Sequence, residues 1–316
     1  MKLPTVLKKN LKVPVIAAPM YIVSGLELVI EQCKSGVIGS FPALNARGEG
    51  EFERWLVRIN KELGGQDAAY AVNLIVNPKT NKRLQEDLQL CVKYKVPIVI
   101  TSLGAMEEVN EAVHSYGGIV LHDVINNRFA KKAIEKGADG LVAVAAGAGG
   151  HGGVTSPFAL IQEIRTWFDG PLALSGSIAS GHAILAAQAI GADLAYIGSA
   201  FIATEEANAV DDYKAMITKC DSGDIVYTDY FTGVNGNYLL PSITRSGMDP
   251  GELTTKGQGE KAAIKTAPKG GPKVWKEIWG SGQGIGAIDR VLSTKDLVGR
   301  FVEEYETARR RLERAA

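Results

Sequence analysis

The chain has 316 residues, of which 46% are hydrophobic and 22% charged, with 35 Lys+Arg against 35 Asp+Glu. A formal charge of zero argues against nucleic acid or a membrane surface as the partner, and the apolar content excludes disordered and fibrous classes. Three cysteines without a CxxC pair and four histidines support neither a disulfide framework nor a metal site, and no run reaches the ~18 apolar residues of a membrane span, so a soluble cytoplasmic protein is expected.

Short β-branched runs alternate with amphipathic segments and predict strands at 13–20, 37–43, 69–76, 96–104, 119–126, 140–147, 172–179 and 194–203. Ser24 and Glu27 have the spacing of a capping box, and Gly36 is placed to end the helix that follows. Phe52, Trp55, Leu56, Ile59 and Leu63 form one apolar stripe, Leu84, Leu88 and Cys91 another, and Ser156-Pro157 opens a helix reaching about residue 168. A helix, glycine, strand repeat recurs as Lys136-Gly137-Ala138-Asp139 and Ile190-Gly191-Ala192-Asp193. Eight such units predict an α/β fold, a closed (β/α)8 TIM barrel, with a doubly wound open sheet as the alternative.

Beyond residue 204 the rhythm breaks. A helix is predicted at 205–220, then a loop-rich stretch in which Lys256, Lys261, Lys265, Lys269, Lys273 and Lys276 read as a solvated lid. A final helix at 294–314 should pack back through Leu297, Phe301 and Tyr305. The expected organisation is a barrel core over 1–204, a small helical and loop-rich insertion or lid over 205–290, and a C-terminal helix over 291–316.

Working residues of such barrels sit on loops after the strands, with phosphate held after the seventh and eighth. Ser175-Gly176-Ser177 and Gly198-Ser199 fall there, where bare main-chain N–H groups and hydroxyls suit a phosphate. The string Gly147-Ala148-Gly149-Gly150-His151-Gly152-Gly153 follows the sixth strand. Backbone this bare suggests a flat ligand against the chain, and an unobstructed imidazole makes His151 the candidate catalytic base. His122, ending the fifth strand, either faces the barrel mouth or does not. His114 and His182 read as an exposed helix position and a cap.

Four motifs in order carry a resemblance over nearly the whole chain: Ala17-Ala18-Pro19-Met20, Ala148-Gly149-Gly150-His151, the glycines after the seventh and eighth strands, and Gly282-Gln283-Gly284. Together they resemble the nitronate monooxygenase family, formerly called 2-nitropropane dioxygenase. The resemblance implies an FMN-dependent barrel enzyme in which Ala18, Pro19, Met20, Asn73 and His122 lie near the flavin ring. It further implies that Ala148, Gly149, Gly150 and Gln283 border the flavin, and that Ser175, Gly176, Ser177, Gly198 and Ser199 hold its phosphate. The implied reaction takes alkyl nitronates or nitroalkanes and O2 to carbonyl compounds and nitrite. An NAD(P)H-dependent quinone or enoyl-acyl carrier protein reductase on the same scaffold is the alternative, and a flavin-free sugar-phosphate lyase or isomerase a remoter one. The partners implied are a small molecule and O2, with a homodimer as one option.

Three features depart from the family pattern, one being Gly176-Ser177 in the seventh strand where relatives often have Gly-Gly, a change a phosphate site can absorb. Relatives place a lysine directly after the fifth-strand histidine, where this chain has Asp123, and the stretch 229–253 is longer and differently composed than expected.

Overall fold

The computed structural model describes residues 3–78, 80–253 and 274–315. Its main sheet contains β1 (Val15–Ala17), β2 (Gly39–Pro42), β3 (Tyr70–Ile75), β4 (Ile98–Ser102), β5 (Ile119–Val124), β6 (Gly140–Val144), β8 (Leu172–Ser175) and β9 (Leu194–Ile197). The intervening β7 (Gly150–His151) belongs to another sheet.

The eight strands are parallel in the order β1-β9-β8-β6-β5-β4-β3-β2. The ends of this row meet: Ala17 N–H donates to Ile38 O at 2.8 Å and Ile38 N–H to Val15 O at 3.0 Å. The sheet is therefore a (β/α)8 barrel, as the strand rhythm predicts, and not an open doubly wound sheet. β4, β6 and β8 leave the ladder where φ turns positive, at Leu103 and Gly104, at Gly147, and at Gly176 and Ser177. Of these, Gly147, Gly176 and Ser177 line the cavity described below.

Alternation along the strands divides the core into two layers. Ile98, Ile100, Leu121, Val142, Ala173 and Leu194 point inward with Leu7 of the N-terminal turn and fill the barrel. Val72, Val99 and Val120 point outward onto a second cluster beneath the surrounding helices. Those helices are α1 (Leu26–Ser35), α2 (Glu51–Glu62), α3 (Leu84–Lys93), α4 (Glu107–His114), α5 (Asn127–Glu135), α6 (Pro157–Arg165) and α7 (Gly181–Ala189). Of the apolar stripes read from sequence, Phe52, Leu56, Ile59, Leu84, Leu88 and Cys91 are buried, and Trp55 and Leu63 pack half-buried against them. The helix, glycine, strand repeat has a structural use: Asp139 accepts from Val120 N–H at 2.7 Å and Asp193 from Leu172 N–H at 2.9 Å, each tying its strand to a neighbour.

Two local expectations are corrected. No capping box opens α1, whose N-cap is Gly25; the Ser24 hydroxyl instead accepts from Met20 N–H at 2.9 Å, and Glu27 pairs with Arg58. The helix expected at 205–220 is present only as α9 (Asp211–Lys219), after the single turn α8 (Ser199–Ile202). Residues before α9 are occupied elsewhere, since the Glu206 carboxylate accepts from Thr294 N–H at 2.9 Å and from the Thr294 hydroxyl at 2.7 Å, capping the last helix.

The stretch expected to be loop-rich contains a small sheet. β10 (Ile225–Thr228) and β11 (Gly236–Leu239) run antiparallel, and β11 also pairs with β7, giving the order β10-β11-β7. α10 (Leu240–Arg245) follows. Lys256, Lys261, Lys265, Lys269 and Lys273 lie outside the described residues. The last helix, α11 (Thr294–Ala315), buries Leu297 and Phe301, and the Tyr305 hydroxyl donates to Gln188 on α7. Gly181 is needed at this contact, because a Cβ there would lie 2.3 Å from Phe301 O. Among the described residues, no helix is long and apolar enough to cross a membrane.

Candidate functional site

A cavity of about 260 Å³ opens at the C-terminal ends of the barrel strands, where barrels of this type place their chemistry. After β1, Ala18, Pro19 and Met20 line it; from β3 comes Asn73; after β6, Ala148, Gly149, Gly150 and His151. Ser175, Gly176 and Ser177 line it from β8, and Gly198 and Ser199 from β9. The structure thus brings together all but two of the residues singled out from sequence. Gln283 packs beside the cavity with its N–H donating to Gly147 O at 2.9 Å, and its neighbours Gly282 and Gly284 do the lining.

His122 is the other exception. It sits on the outward face of β5 with its Nδ1 2.6 Å from the Thr101 hydroxyl, and burial pushes its imidazole down to about 4. Strand alternation turns the next residue, Asp123, inward instead.

Asp123 belongs to a polar strip that sequence reading did not assemble. Asn73 Nδ2 donates to Ser102 Oγ at 2.7 Å, and Ser102 Oγ donates to Asp123 Oδ2 at 2.7 Å. Asp123 Oδ1 is buried without a partner. Burial raises this carboxyl to about 6, against the opposing Ser102 hydrogen bond. Tyr196 also lines the cavity, its phenol pushed well above its ordinary range by burial and by Asp123. Counting by twos along the strands was the available signal: Ser102 follows inward Ile100, and Asp123 follows inward Leu121.

The glycine-rich loop is held from outside the barrel. Asn237 Nδ2 donates to Ala148 O at 2.7 Å, Tyr227 donates to Gly152 O at 2.9 Å, and β11 pairs Gly236 with His151 and Asn237 with Gly150. Its bare backbone is largely demanded by the chain itself. A Cβ on Gly147 would meet Ser177 Oγ at 2.1 Å, and one on Gly149 would meet Gly282 N at 2.8 Å. Gly198 differs: its φ is −108° and its nearest neighbour would be Met20 Sδ at 3.5 Å, so no described residue requires a glycine there. Its missing side chain leaves cavity space free.

His151 Nε2 lies 2.9 Å from Thr232 Oγ1, and its ring meets Trp275 edge to face with centroids 5.6 Å apart. The Thr232 hydroxyl donates to Val234 O at 3.0 Å. Thr232 therefore accepts from Nε2–H, and Nδ1 carries the lone pair; this tautomer follows from the hydrogen-bond network. Burial lowers the imidazole below its ordinary value, so it is neutral at pH 7. At the opposite end, the main-chain N–H groups of Gly176, Gly198 and Ser199 donate to no main-chain carbonyl among the described residues. The Ser199 hydroxyl accepts from Gly282 N–H at 2.9 Å.

Residues 49–304 match the family model described as nitronate monooxygenase. A curated nitronate monooxygenase of Paraburkholderia phytofirmans is 26% identical over 284 residues, covering 75% of this chain and 76% of that protein. Among solved structures, the nitroalkane oxidase of Streptomyces ansochromogenes superposes with a TM-score of 0.81 at 22% identity, covering 97% of this chain and 99% of that one. FabK from Thermotoga maritima gives 0.80 at 19%, covering 100% of both. At these identities the two structures speak to the fold alone.

Proposed function

The chain belongs to the nitronate monooxygenase family, and on that premise we propose that it is an FMN-dependent enzyme converting alkyl nitronates, and nitroalkanes after deprotonation, with O2 to carbonyl compounds and nitrite. The family implies an oxidoreductase that uses a flavin. The observation that carries the finer reading is a neutral, desolvated His151 on a clamped glycine loop, opening into the same cavity as the free N–H groups after β8 and β9.

The residues present fit a flavin monophosphate. Gly176, Gly198 and Ser199 offer unpaired donors, with the Ser175 and Ser177 hydroxyls beside them, which suits a phosphate. Gly198 leaves room that its own chain does not need. Ala18, Met20 and Ala148 give apolar walls for a flat ring, and Asn73 and Asp123 give polar groups for its heteroatoms. When bound, the flavin supplies the electron-accepting chemistry and the reaction with oxygen.

The protein's own part is to bind, orient and move one proton. His151 Nδ1 takes the proton from the carbon bearing the nitro group, while Thr232 holds Nε2–H and fixes the ring. Trp275 packs against the imidazole and keeps water from one side of it. A nitronate arrives without that proton and does not need the base.

The test is direct. Purified protein is expected to show the blue and near-ultraviolet bands of a flavin and to release nitrite from a nitronate under air. Colourless protein that takes up no riboflavin phosphate would end the proposal. Rapid anaerobic bleaching of the flavin by NADH or NADPH, without nitrite release from nitronates, would support the reductase in its place.

A further inference from the structure

The described residues lining the cavity include no lysine or arginine and one carboxyl, Asp123. Among the described residues, a ligand that gains negative charge there meets no cation to neutralise it. What it meets is a carboxyl with one oxygen held by Ser102 and the other buried without any partner. We propose that Asp123 takes up a proton when the bound flavin is reduced, so that protonation of this side chain does the neutralising that a cation would otherwise do. This inference rests on the flavin reading above.

The balance is as follows. Before reduction the ring is neutral and Asp123 is a carboxylate, a site charge of −1. In the photoreduction used below, two electrons enter from a sacrificial organic amine, which is oxidised, and two protons from solvent, one to the ring and one to Asp123. The products are an anionic reduced ring and a neutral carboxylic acid, again −1. If Asp123 stayed ionised, only one proton would enter and the site would reach −2, with two like charges in a buried cavity. A like charge disfavours a carboxylate, and Asp123 starts from a position already raised by burial, so the added negative charge favours its protonated form.

The described surroundings of Asp123 offer no other group to do this. From β4, Ser102 donates a hydrogen bond and has no charge to give; from β3, Asn73 is neutral; from β9, Tyr196 holds its proton firmly. Val142 and Val144 of the adjoining β6 are apolar. His151, on its own loop, is held neutral by burial. The unpaired Oδ1 is where the arriving proton goes, because Oδ2 already accepts from Ser102.

Proton uptake is measured on the flavin-loaded protein by anaerobic photoreduction in weakly buffered solution at pH 7 with an indicator dye. The wild type is expected to take up about one proton per flavin more than Asp123→Asn. Reduced-minus-oxidised infrared spectra of the wild type should show a new, deuterium-sensitive carboxylic acid band, missing in Asp123→Asn. Ser102→Ala, which removes the hydrogen bond favouring the carboxylate, should move protonation of the oxidised protein to higher pH, read as a shift in the pH-dependent flavin spectrum. If Asp123→Asn does not fold, the wild-type infrared spectrum decides alone. Equal uptake, or no carboxylic acid band in the wild type, overturns the inference while leaving the flavin reading intact; failure to bind flavin overturns that reading first.

Discussion

Burial acts on the two proton-carrying walls of the cavity in opposite directions. On the loop wall it lowers His151 and keeps the imidazole unprotonated, which is the form of a base. On the strand wall it raises Asp123 to about 6 and brings the carboxyl within reach of its protonated form, which is that of an acid. One cause, loss of water around a charge, makes an acceptor of the cation-former and a donor of the anion-former. Their supports differ as well. Thr232, which holds His151, is exposed on the segment between β10 and β11, whereas Ser102 holds Asp123 from inside the barrel. The loop wall is held by the segment between β10 and β11, and the strand wall is part of the barrel.

The comparison can be broken most severely at His151. His151→Ala should lower nitroalkane turnover by ~10²–10⁴-fold, about 3–5 kcal/mol of base assistance, with preformed nitronate changed only a fewfold. Nitrite release from the two substrates measures this, and equal losses would remove the base assignment. In the wild type, nitroalkane turnover should fall as pH drops and the imidazole protonates, with its midpoint below the ordinary 6.5 because burial disfavours the cation. Nitronate turnover should lack that limb.

The strand wall predicts a stability change of opposite sign to most buried substitutions. A carboxyl raised from 3.8 to about 6 binds more protons folded than unfolded between those values, so it costs stability progressively as pH rises through that window. Asp123→Asn should therefore stabilise the flavin-free protein by up to about 3 kcal/mol above pH 6, and by little below pH 4. Urea unfolding at both pH values checks the sign; a loss at pH 7.5 would mean that the carboxylate is well satisfied.

Gly176→Ala tests the phosphate end. With φ at +134° and a Cβ that would sit 2.7 Å from Ala146 O, the substitution should cost about 1–3 kcal/mol and weaken flavin retention, read by unfolding and by flavin fluorescence. The smallest expected effect is that of Thr232→Val. It removes the partner of Nε2–H, and should reduce nitroalkane turnover severalfold while sparing nitronate.

Much of this was legible in the residues. The strand rhythm, the terminators Gly36, Gly137 and Gly191, and the positions of the Gly147–Gly153 string and of the glycines after β8 and β9 are local matters of periodicity and backbone freedom. The capping box at Ser24 was misread because its hydroxyl found a closer use in the turn after β1, at Met20. The helix at 205–220 was overextended because Glu206 caps a helix that begins 88 residues later. The glycine string was found but its cause was partly misplaced: Gly147 and Gly149 are bare chiefly to let Ser177 and Gly282 approach.

Local periodicity was enough for the barrel, the place of its working face and the histidine on its loop, since each depends on residues a few positions apart. Long-range packing chose between neighbours. The register of β5 turns Asp123 into the cavity and His122 out of it, and barrel closure sets Asn73, Ser102 and Asp123 on adjacent strands as one hydrogen-bonded row. β11, more than 80 residues away, pairs with His151. Hydrogen bonds and burial depend on which strands lie side by side, and that adjacency exists only once the ring has closed.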